Sequence, residues 1–379
     1  MVLYLSAPIC RSDAPVVRRK TILVIVAASL LTASLLASAI SCRAEQGALA
    51  TPGNAVPTLE ALRSTTLPRG SFVQWCGDRI VMEVDRRYEI YDGEVKASPL
   101  SFPLTSNLLC GDNREKLIFV DQQDGRISEV DLSGGVVTRT LATYEDKLRQ
   151  QVSFSPDLQH VASNRPLALA PNVVDLKVLE FKTIGLFRWS RDSSALFGVT
   201  ALTETNSSSV EIYSAQRQRI GSGPVPAGYF FRDGWFADSR TLYLYLKSHR
   251  NEFGSGFLFR CQIEGWKCVI VARDVLEVSV GGNGTIGMVR AIGKYTSDGD
   301  EITYPRGYVA EIRNGASQVV ARQTFKPSER NEFVLAVAPS GTKAVFTWHE
   351  FCPDKKRDSA RCSNGGRGGV MMDLSGRPK

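Results

Sequence analysis

The feature that most constrains this chain is a short phrase that returns along most of its length. Each copy is an apolar residue, two small or variable residues, a polar turn residue and then an alternating strand, as in Phe154-Ser155-Pro156-Asp157 before Leu158–Ala162. The seven turn residues are Asp78, Asp112, Asp157, Asp192, Asp238, Asn283 and Ser340. Their spacing of 34 to 57 residues brackets the period of about 40 to 45 that is typical of propeller blades and helical arrays.

The segments between the copies distinguish these two folds. Runs such as Thr241–Leu246 alternate branched and aromatic residues, which is typical of strands. We therefore predict an all-β chain that folds as a β-propeller, with seven blades of four antiparallel strands. The turn residues fit this fold, because Asp, Asn and Ser side chains bond their own backbone two residues on and close tight turns. We interpret all seven as structural residues.

Further phrases extend the pattern. Trp189-Ser190-Arg191-Asp192 repeats the turn, while Val130–Gly134 and Met372–Gly376 both end a strand in Asp-x-x-Gly. Together with Phe154–Asp157 they resemble the WD40-like repeats of the TolB-type β-propeller, over about residues 70 to 379. The resemblance implies a protein-binding scaffold or a propeller attached to an enzyme. The stretch before residue 71 is too short for the separate α/β domain of TolB itself, and we expect no hydrolase domain after the propeller.

Residues 1–44 have the pattern of a targeting segment, because Arg18-Arg19-Lys20 precede the apolar run Thr21–Ile40. Ala37-Ser38-Ala39 is a small-x-small cleavage site for a removed signal peptide. The alternative is a lipoprotein leader with lipid on Cys42, although Ala stands where a lipobox usually has Leu. We expect a periplasmic or secreted protein, or a membrane-anchored lipoprotein tethered through Cys42.

The remaining domain boundaries follow from the repeats. Residues 45–70 contain three prolines and are predicted to be a linker. Residues 71–379 are predicted to be the propeller, whose last copy lacks a fourth strand. A propeller must hide the edges of its first and last blades, so we expect the linker to supply a closing strand from within Thr58–Thr66.

The net charge bears on the class of partner. The formal charge is +7, but residues 1–44 hold five basic residues and one acidic residue, so the rest of the chain carries only +3. Nucleic-acid binding would require a dense basic face, and we therefore expect no nucleic-acid partner.

The cysteines indicate an oxidising compartment. Apart from Cys10 and Cys42, the chain has six, and an even number in an exported protein predicts disulfides. The candidates are Cys76 and Cys110 in neighbouring copies, Cys261 and Cys268 beside a hairpin, and Cys352 and Cys362 around a polar loop. Metal binding is the weaker interpretation, because the chain has only three His and no Cys-x-x-Cys spacing.

Motifs that suggest chemistry have simpler explanations. Gly282–Gly287 matches G-x-G-x-x-G but precedes a strand-like run instead of a helix, so we predict no bound cofactor. Among the imidazoles, His160 follows a repeat turn and is interpreted as structural, whereas His349 lies beside a large insertion and is the better acid–base candidate. Trp189 and Trp235 occupy matching positions, where stacking between blades explains them better than a sugar platform does.

The large insertion, Glu350–Gly368, is basic and rich in glycine. Lys355, Lys356 and Arg357 lie in it and are candidates for contacts with a partner, because loops on a rigid scaffold often carry function. The alternative is a solvated surface loop closed by Cys352 and Cys362.

The leading functional hypothesis is an exported, monomeric, non-enzymatic propeller that binds a protein or peptide in the cell envelope. It rests on the seven repeats and on the lack of a recognisable set of catalytic residues in the sequence. The first alternative is a lyase or hydrolase that acts on polysaccharide or peptide at the central channel, and the second is a structural protein of the envelope. The surface at the channel mouth should discriminate between a binding scaffold and an enzyme. Converging His, Arg and carboxylate groups would favour an enzyme, whereas a broad apolar or mixed surface would favour a scaffold.

Overall fold

Almost every described segment is a β-strand, as the alternation of branched and aromatic residues requires. The structure is a computed structural model that describes residues 56–62, 64–67, 70–84, 87–92, 95–100, 107–110, 116–121, 125–131, 136–143, 152–182, 184–200, 208–248, 254–293, 296–298, 301–303, 305–326, 330–350 and 367–375. In these ranges the one helical element is the 3₁₀ turn Leu59–Ala61, which the Thr58 hydroxyl caps by accepting from the Ala61 N–H at 3.2 Å.

The strands follow one another in consecutive groups. The first to fourth groups, preceded by β1 (Ser64–Thr66), are β2 (Ser71–Cys76), β3 (Arg79–Val84), β4 (Arg87–Asp92), β5 (Val95–Leu100); β6 (Asn107–Cys110), β7 (Lys116–Asp121), β8 (Arg126–Asp131), β9 (Val136–Thr143); β10 (Val152–Phe154), β11 (His160–Ser163), β12 (Ala168–Leu169), β13 (Lys177–Glu180); and β14 (Ile184–Trp189), β15 (Ala195–Thr200), β16 (Ser209–Ser214), β17 (Arg219–Pro224). The later strands are β18 (Tyr229–Asp238), β19 (Thr241–Ser248), β20 (Gly256–Gln262), β21 (Lys267–Val280); β22 (Ile286–Ile292), β23 (Thr296–Asp298), β24 (Glu301–Thr303), β25 (Gly307–Arg313), β26 (Val319–Phe325); and β27 (Arg330–Val337), β28 (Lys343–Glu350), β29 (Arg367–Asp373).

Antiparallel pairing dominates the groups. Strands β2 to β5, β6 to β9 and β14 to β17 each form a meander in chain order. The long strand β21 belongs to two groups, because its first half pairs with β20 and its second half pairs with β22. Asp274, at the change of direction, has a positive φ of 58°. The predicted all-β architecture with antiparallel sheets is therefore confirmed.

The third group differs from the predicted four antiparallel strands. Strand β13 runs parallel to β11, with Val161 opposite Val178, and β12 pairs with β9 of the preceding group. The cause is the path between β11 and β13. The chain crosses to the preceding group, where the Ala170 N–H donates to the Leu141 carbonyl, and returns in its original direction.

The chain closes on itself through its N-terminal strand. Strand β1 pairs antiparallel with β29, with Ser64 opposite Met372 and Thr66 opposite Val370, and so completes the sheet β1-β29-β28-β27. This strand lies within Thr58–Thr66, the stretch predicted to supply a closing strand. The indole nitrogen of Trp75 on β2 also donates to the Ala336 carbonyl on β27, at 3.2 Å.

The core lies between neighbouring groups. One buried cluster joins β15 and β16 to β18, β19 and β20, and another joins β19 and β20 to β21 and β22. A further cluster packs Ile80 and Met82 of the first group against Val345 and Met371 of the last. Sheets that pack face to face in sequence, with the first against the last, are consistent with a β-propeller.

One carboxylate is fully buried in this core. Glu311 on β25 accepts from the Arg313 Nε at 2.5 Å, from the Arg322 Nη2 at 2.6 Å and from the Arg290 Nη2 at 3.5 Å. Burial alone would raise the pKa of Glu311, but the guanidinium groups of Arg313 and Arg322 outweigh it and hold the pKa below its usual range. The carboxylate is therefore ionised in the folded protein and ties together three strands of one group.

Glu311→Gln should lower the free energy of unfolding by about 3 kcal/mol at neutral pH, because three guanidinium groups lose their shared charge. The lowered pKa means that this stabilisation is complete above the unfolded pKa of about 4.3 and is lost as the pH falls through the native value. Urea unfolding should therefore show the difference between wild type and variant narrowing below about pH 4.

The matched control is Glu211→Gln, whose carboxylate forms an ion pair with the exposed Arg219 at 3.8 Å and accepts from the Tyr213 hydroxyl, a bond that the glutamine amide oxygen can also accept. It should cost about 1 kcal/mol or less. The difference in free energy of unfolding between wild type and Glu311→Gln could instead stay constant down to the lowest pH at which the protein folds. That result would contradict an ionised Glu311 with a lowered pKa.

Candidate functional site

The first strands of several groups end around one cavity of about 450 Å³, here called the mouth cavity. Strands β2, β10, β14, β18, β21 and β27 contribute their last residues and the turns that follow. The cavity is lined by Phe72, Gln74, Trp75, Gly77, Ser153, Phe154, Pro156, Arg188, Trp189, Arg191, Gly234, Trp235, Phe236, Ser279, Val280, Gly282, Ala336, Val337 and Pro339. Residues far apart in the sequence meet here because six of the seven copies of the repeat contribute the end of a strand or the turn that follows it.

The repeat turns fix where each of these strands ends. In five of the described turns, the polar side chain accepts a hydrogen bond from the backbone N–H two residues on. The pairs and N···O distances are Asp157–Gln159 (3.0 Å), Asp192–Ser194 (3.1 Å), Asp238–Arg240 (2.7 Å), Asn283–Thr285 (2.9 Å) and Ser340–Thr342 (3.2 Å). The Ser190 hydroxyl also donates to Asp192 at 2.6 Å, and this bond helps to lower the pKa of Asp192. Among the other turn residues, Asp78 follows β2, and Asp112 lies outside the described residues.

Three tryptophans stand just before these turns, at equivalent positions. The indole nitrogen of Trp189 donates to the Ser153 carbonyl of the preceding group at 3.0 Å, as Trp75 donates to Ala336. Trp235 occupies the same position on β18. All three are half-buried, so they both join neighbouring groups and present ring surface to the mouth cavity.

Two arginines bring positive charge to the mouth cavity. Arg188 on β14 donates to both carboxylate oxygens of Asp233 on β18, at 3.1 and 3.2 Å. Arg191 belongs to the turn after β14, and its stem lies against Gly282 of the turn after β21. It also borders a second cavity of about 430 Å³, which Asp192, Phe236 and Asp238 help to line. Arg191 therefore stands between the two cavities.

One further carboxylate lies on a strand that contributes to this wall. Glu277 is on β21, two residues before Ser279, which lines the mouth cavity. Its side chain is exposed to solvent. Desolvation by the surrounding protein nevertheless raises the pKa of Glu277, although the charges of Lys247 and Arg232 act in the opposite direction.

The structure places the predicted cysteines as follows. Cys261 and Cys268 are opposite each other on β20 and β21 and form a disulfide, with Cα atoms 4.0 Å apart. Cys76 at the end of β2 is also disulfide-bonded, and Cys110 is the last residue of β6. The predictions for Cys42, Cys352, Cys362, Lys355, Lys356 and Arg357 fall outside the described residues.

Among the other sequence candidates, neither His160 nor His349 lines the mouth cavity, whereas Gly282 does. His160 is buried on β11 with its ring 5.8 Å from that of Trp189, and His349 pairs on β28 at the far end of its sheet. Gly282–Gly284 form a turn between β21 and β22, so the G-x-G-x-x-G sequence joins two strands. Within the described ranges there is no group of three His, Cys, Asp or Glu side chains that could hold a metal, and no helix long and apolar enough to cross a membrane.

Sequence reasoning missed most of the lining. It did not assign Phe72, Gln74 or Arg188 to a site. A signal was present for Arg191, because the third residue of the repeat phrase is small or Pro in every other copy.

No protein-family model matches the chain, and no curated protein matches its sequence. Among solved structures, it is similar to a puromycin-hydrolyzing peptidase of Mycobacterium tuberculosis, with a TM-score of 0.51 and 11% identity over 86% of this chain and 54% of that chain. It is also similar to hydrazine synthase of Kuenenia stuttgartiensis (TM-score 0.49, 11% identity, 79% of this chain and 96% of that chain) and to TolB from Acinetobacter baumannii (TM-score 0.37, 11% identity, 93% and 71%). The chain spans about half the length of the peptidase, and the likeness concerns the fold alone.

Asp192→Ala should lower the free energy of unfolding by about 1 kcal/mol, because the turn loses its local hydrogen bonds. Chemical denaturation measures this, and Asp175→Ala is the control, since Asp175 is exposed outside the repeat turns. Equal stability of Asp192→Ala and wild type would contradict the structural role of the turn residue.

Proposed function

We propose that this chain is a seven-bladed β-propeller of the WD40-like, TolB type that acts outside the cytoplasm and binds a peptide segment of a protein partner. The mouth cavity carries the proposal. Its volume of about 450 Å³ lies in the range of ligand sites and suits a few side chains of an extended peptide. A wall that combines aromatic and apolar residues with a small number of polar side chains is also usual for a binding pocket.

Aromatic anchors support peptide binding. Trp75, Trp189 and Trp235 offer ring surface from three different groups, and tryptophan is enriched among the residues that dominate binding energies. Hydrogen bonds to backbone carbonyls fix the indoles of Trp75 and Trp189 before any ligand arrives. Such preorganisation reduces the entropy that is lost on binding.

The disulfide-bonded cysteines support an extracytoplasmic location. The Cys261–Cys268 pair and the bonded Cys76 are typical of proteins that fold in an oxidising compartment, since cytosolic thiols are kept reduced. The leader within residues 1–44, with either signal cleavage or lipid on Cys42, is part of the same proposal.

The basic insertion is the connection from β28 to β29, whereas the turn between β27 and β28 borders the mouth cavity. Lys355, Lys356 and Arg357 remain proposed contacts with the same partner or with another one.

A second candidate function is suggested by Glu277. A raised pKa brings a carboxyl group closer to the range that suits general acid–base catalysis, as a lyase or hydrolase in the channel would need. Binding is the better supported function, because aromatic and apolar groups make up most of the mouth lining.

Trp235→Ala should weaken peptide binding by about ten-fold or more, because truncation of a central aromatic anchor typically costs about 2 kcal/mol or more. The probe is a set of peptides selected from a displayed random library against the folded wild-type protein. Affinities for the synthetic peptides would be measured by calorimetry.

Trp266→Ala is the matched control. Its indole also donates to a carbonyl, that of Pro224 at 3.0 Å, but it lies on the β20–β21 turn outside the mouth cavity. It should bind the selected peptides as wild type does. Selection of no peptide, or equal loss in both variants, would argue against the mouth as the binding site.

A further inference from the structure

Trp235 has the same place in the repeat phrase as Trp189, but it lies on the other face of its sheet. Trp189 is opposite Leu196 on the partner strand. In the next copy the residue opposite Leu242, the counterpart of Leu196, is Phe236. A register shift at the end of β18 therefore gives Phe236 the place of Trp189 and turns Trp235 to the opposite face.

The packing of the rings agrees with this register. The ring of Phe236 lies 5.5 Å from that of Phe197 in the preceding group, just as Trp189 contacts the group before its own. Trp235 instead packs against the cluster that joins β19 and β20 to β21 and β22. Its ring therefore faces the following group.

This orientation leaves the indole N–H of Trp235 without an acceptor among the described residues. The N–H groups of Trp75 and Trp189 donate to carbonyls of the preceding group, at 3.2 and 3.0 Å. Trp235 is half-buried, it lines the mouth cavity and its nitrogen is not a buried one. Of the three indoles, it is therefore the one that can donate a hydrogen bond to a ligand.

Several acceptors around the mouth cavity are already engaged. The carbonyls of Ser153, Ala336 and Pro339 each accept a hydrogen bond from elsewhere in the protein, and the Ser279 hydroxyl accepts from the Val337 N–H at 3.1 Å. A ligand N–H that lost its water here without finding an acceptor would cost free energy. The mouth therefore favours a segment that has carbonyl groups but few N–H groups.

Proline has this chemistry. It lacks the backbone N–H, and its carbonyl still accepts a hydrogen bond. Proline-rich segments also form a polyproline II helix before they bind, and they dock in grooves lined by aromatic residues. The half-buried rings of Trp75, Trp189 and Trp235 provide an aromatic lining of this kind.

We propose that Trp235 determines the specificity of the mouth by donating its indole N–H to a backbone carbonyl of a proline-containing peptide segment, whose proline rings pack on the aromatic wall. The proposal rests on the peptide-binding function proposed above. It names the class of peptide and the residue that recognises it.

Two synthetic peptides test the class of ligand. Ac-Ala-Pro-Pro-Leu-Pro-Ala-NH₂ carries the proposed feature, and Ac-Ala-Ala-Ala-Leu-Ala-Ala-NH₂ replaces each proline by alanine. By calorimetry, the wild type should bind the proline peptide at least about five-fold more tightly, because less conformational entropy is lost on binding and fewer N–H groups are left unpaired.

An isostere tests the hydrogen bond itself. Benzothienylalanine in place of Trp235 keeps the size of the ring system and removes the N–H, so binding of the proline peptide should weaken about five-fold, the usual effect of one lost hydrogen bond. The matched control is the same replacement of Trp266, whose N–H donates to the Pro224 carbonyl outside the mouth cavity. It should bind as wild type does.

Stability provides an independent readout. Trp189→Phe removes a hydrogen bond within the protein and should shift the midpoint of urea unfolding to a lower concentration. Trp235→Phe should leave the midpoint unchanged, because no such bond is lost. An equal shift in both variants would show that the Trp235 N–H has a partner within the protein and would overturn the proposal.

The remaining outcomes separate this proposal from the more general one. The wild type could bind both synthetic peptides equally, or neither of them, while peptides from the library bind at the mouth. The benzothienylalanine protein could also bind the proline peptide as wild type does. Each of these results would overturn the role of Trp235 proposed here and leave peptide binding at the mouth intact. If neither synthetic peptide binds and library selection also fails, both proposals are wrong.

Discussion

The joining of the first strands to the last is the constraint on which the rest of the structure depends. Strand β1 completes the sheet of β27 to β29, the Trp75 indole bonds the Ala336 carbonyl, and Ile80 and Met82 pack against Val345 and Met371. Each sheet buries one face against its neighbour, so an unjoined array would expose apolar surface and a free strand edge at both ends. Closure also brings β2 and β27 to the same cavity, which neither could form alone.

Within the joined array, the residues that repeat in each copy have a structural role, and the residues that vary between copies shape the cavity. The turn hydrogen bond of Asp157, Asp192 or Asp238 is local and nearly the same in each copy, and it sets the end of each first strand. The residues around it vary, and their differences give the mouth its chemistry: indole rings from three copies, a paired Arg188 and a rim residue in Arg191. A rigid scaffold with variable residues at one end is a common way to build a binding site.

The sequence predicted those parts of the structure that arise from local chemistry. Turns closed by Asp or Asn, the strand Thr241–Leu246 and the adjacent cysteines Cys261 and Cys268 depend on a few neighbouring residues. The parallel strand β13 was not predictable, because it results from pairing between residues of different groups. The mouth lining was not predictable either, since it combines residues of six copies, and register shifts such as the one between Phe231 and Asp233 interrupt the simple alternation of side chains along a strand. Likewise, no local sequence pattern indicates that Arg290, Arg313 and Arg322 all form ion pairs with Glu311.

Amide hydrogen exchange at the joint tests the account most directly. The Leu67 N–H donates to the Gly369 carbonyl at 2.9 Å, and the Arg322 N–H donates to the Pro57 carbonyl at 2.9 Å. If β1 closes the array, both amides should exchange as slowly as those of Ala344 and Phe346 in the adjoining strand β28, because all of them open only in the global unfolding reaction. Exchange of the Leu67 and Arg322 amides at the rate of an unprotected chain, while β28 stays protected, would contradict the closed arrangement and the mouth cavity that depends on it.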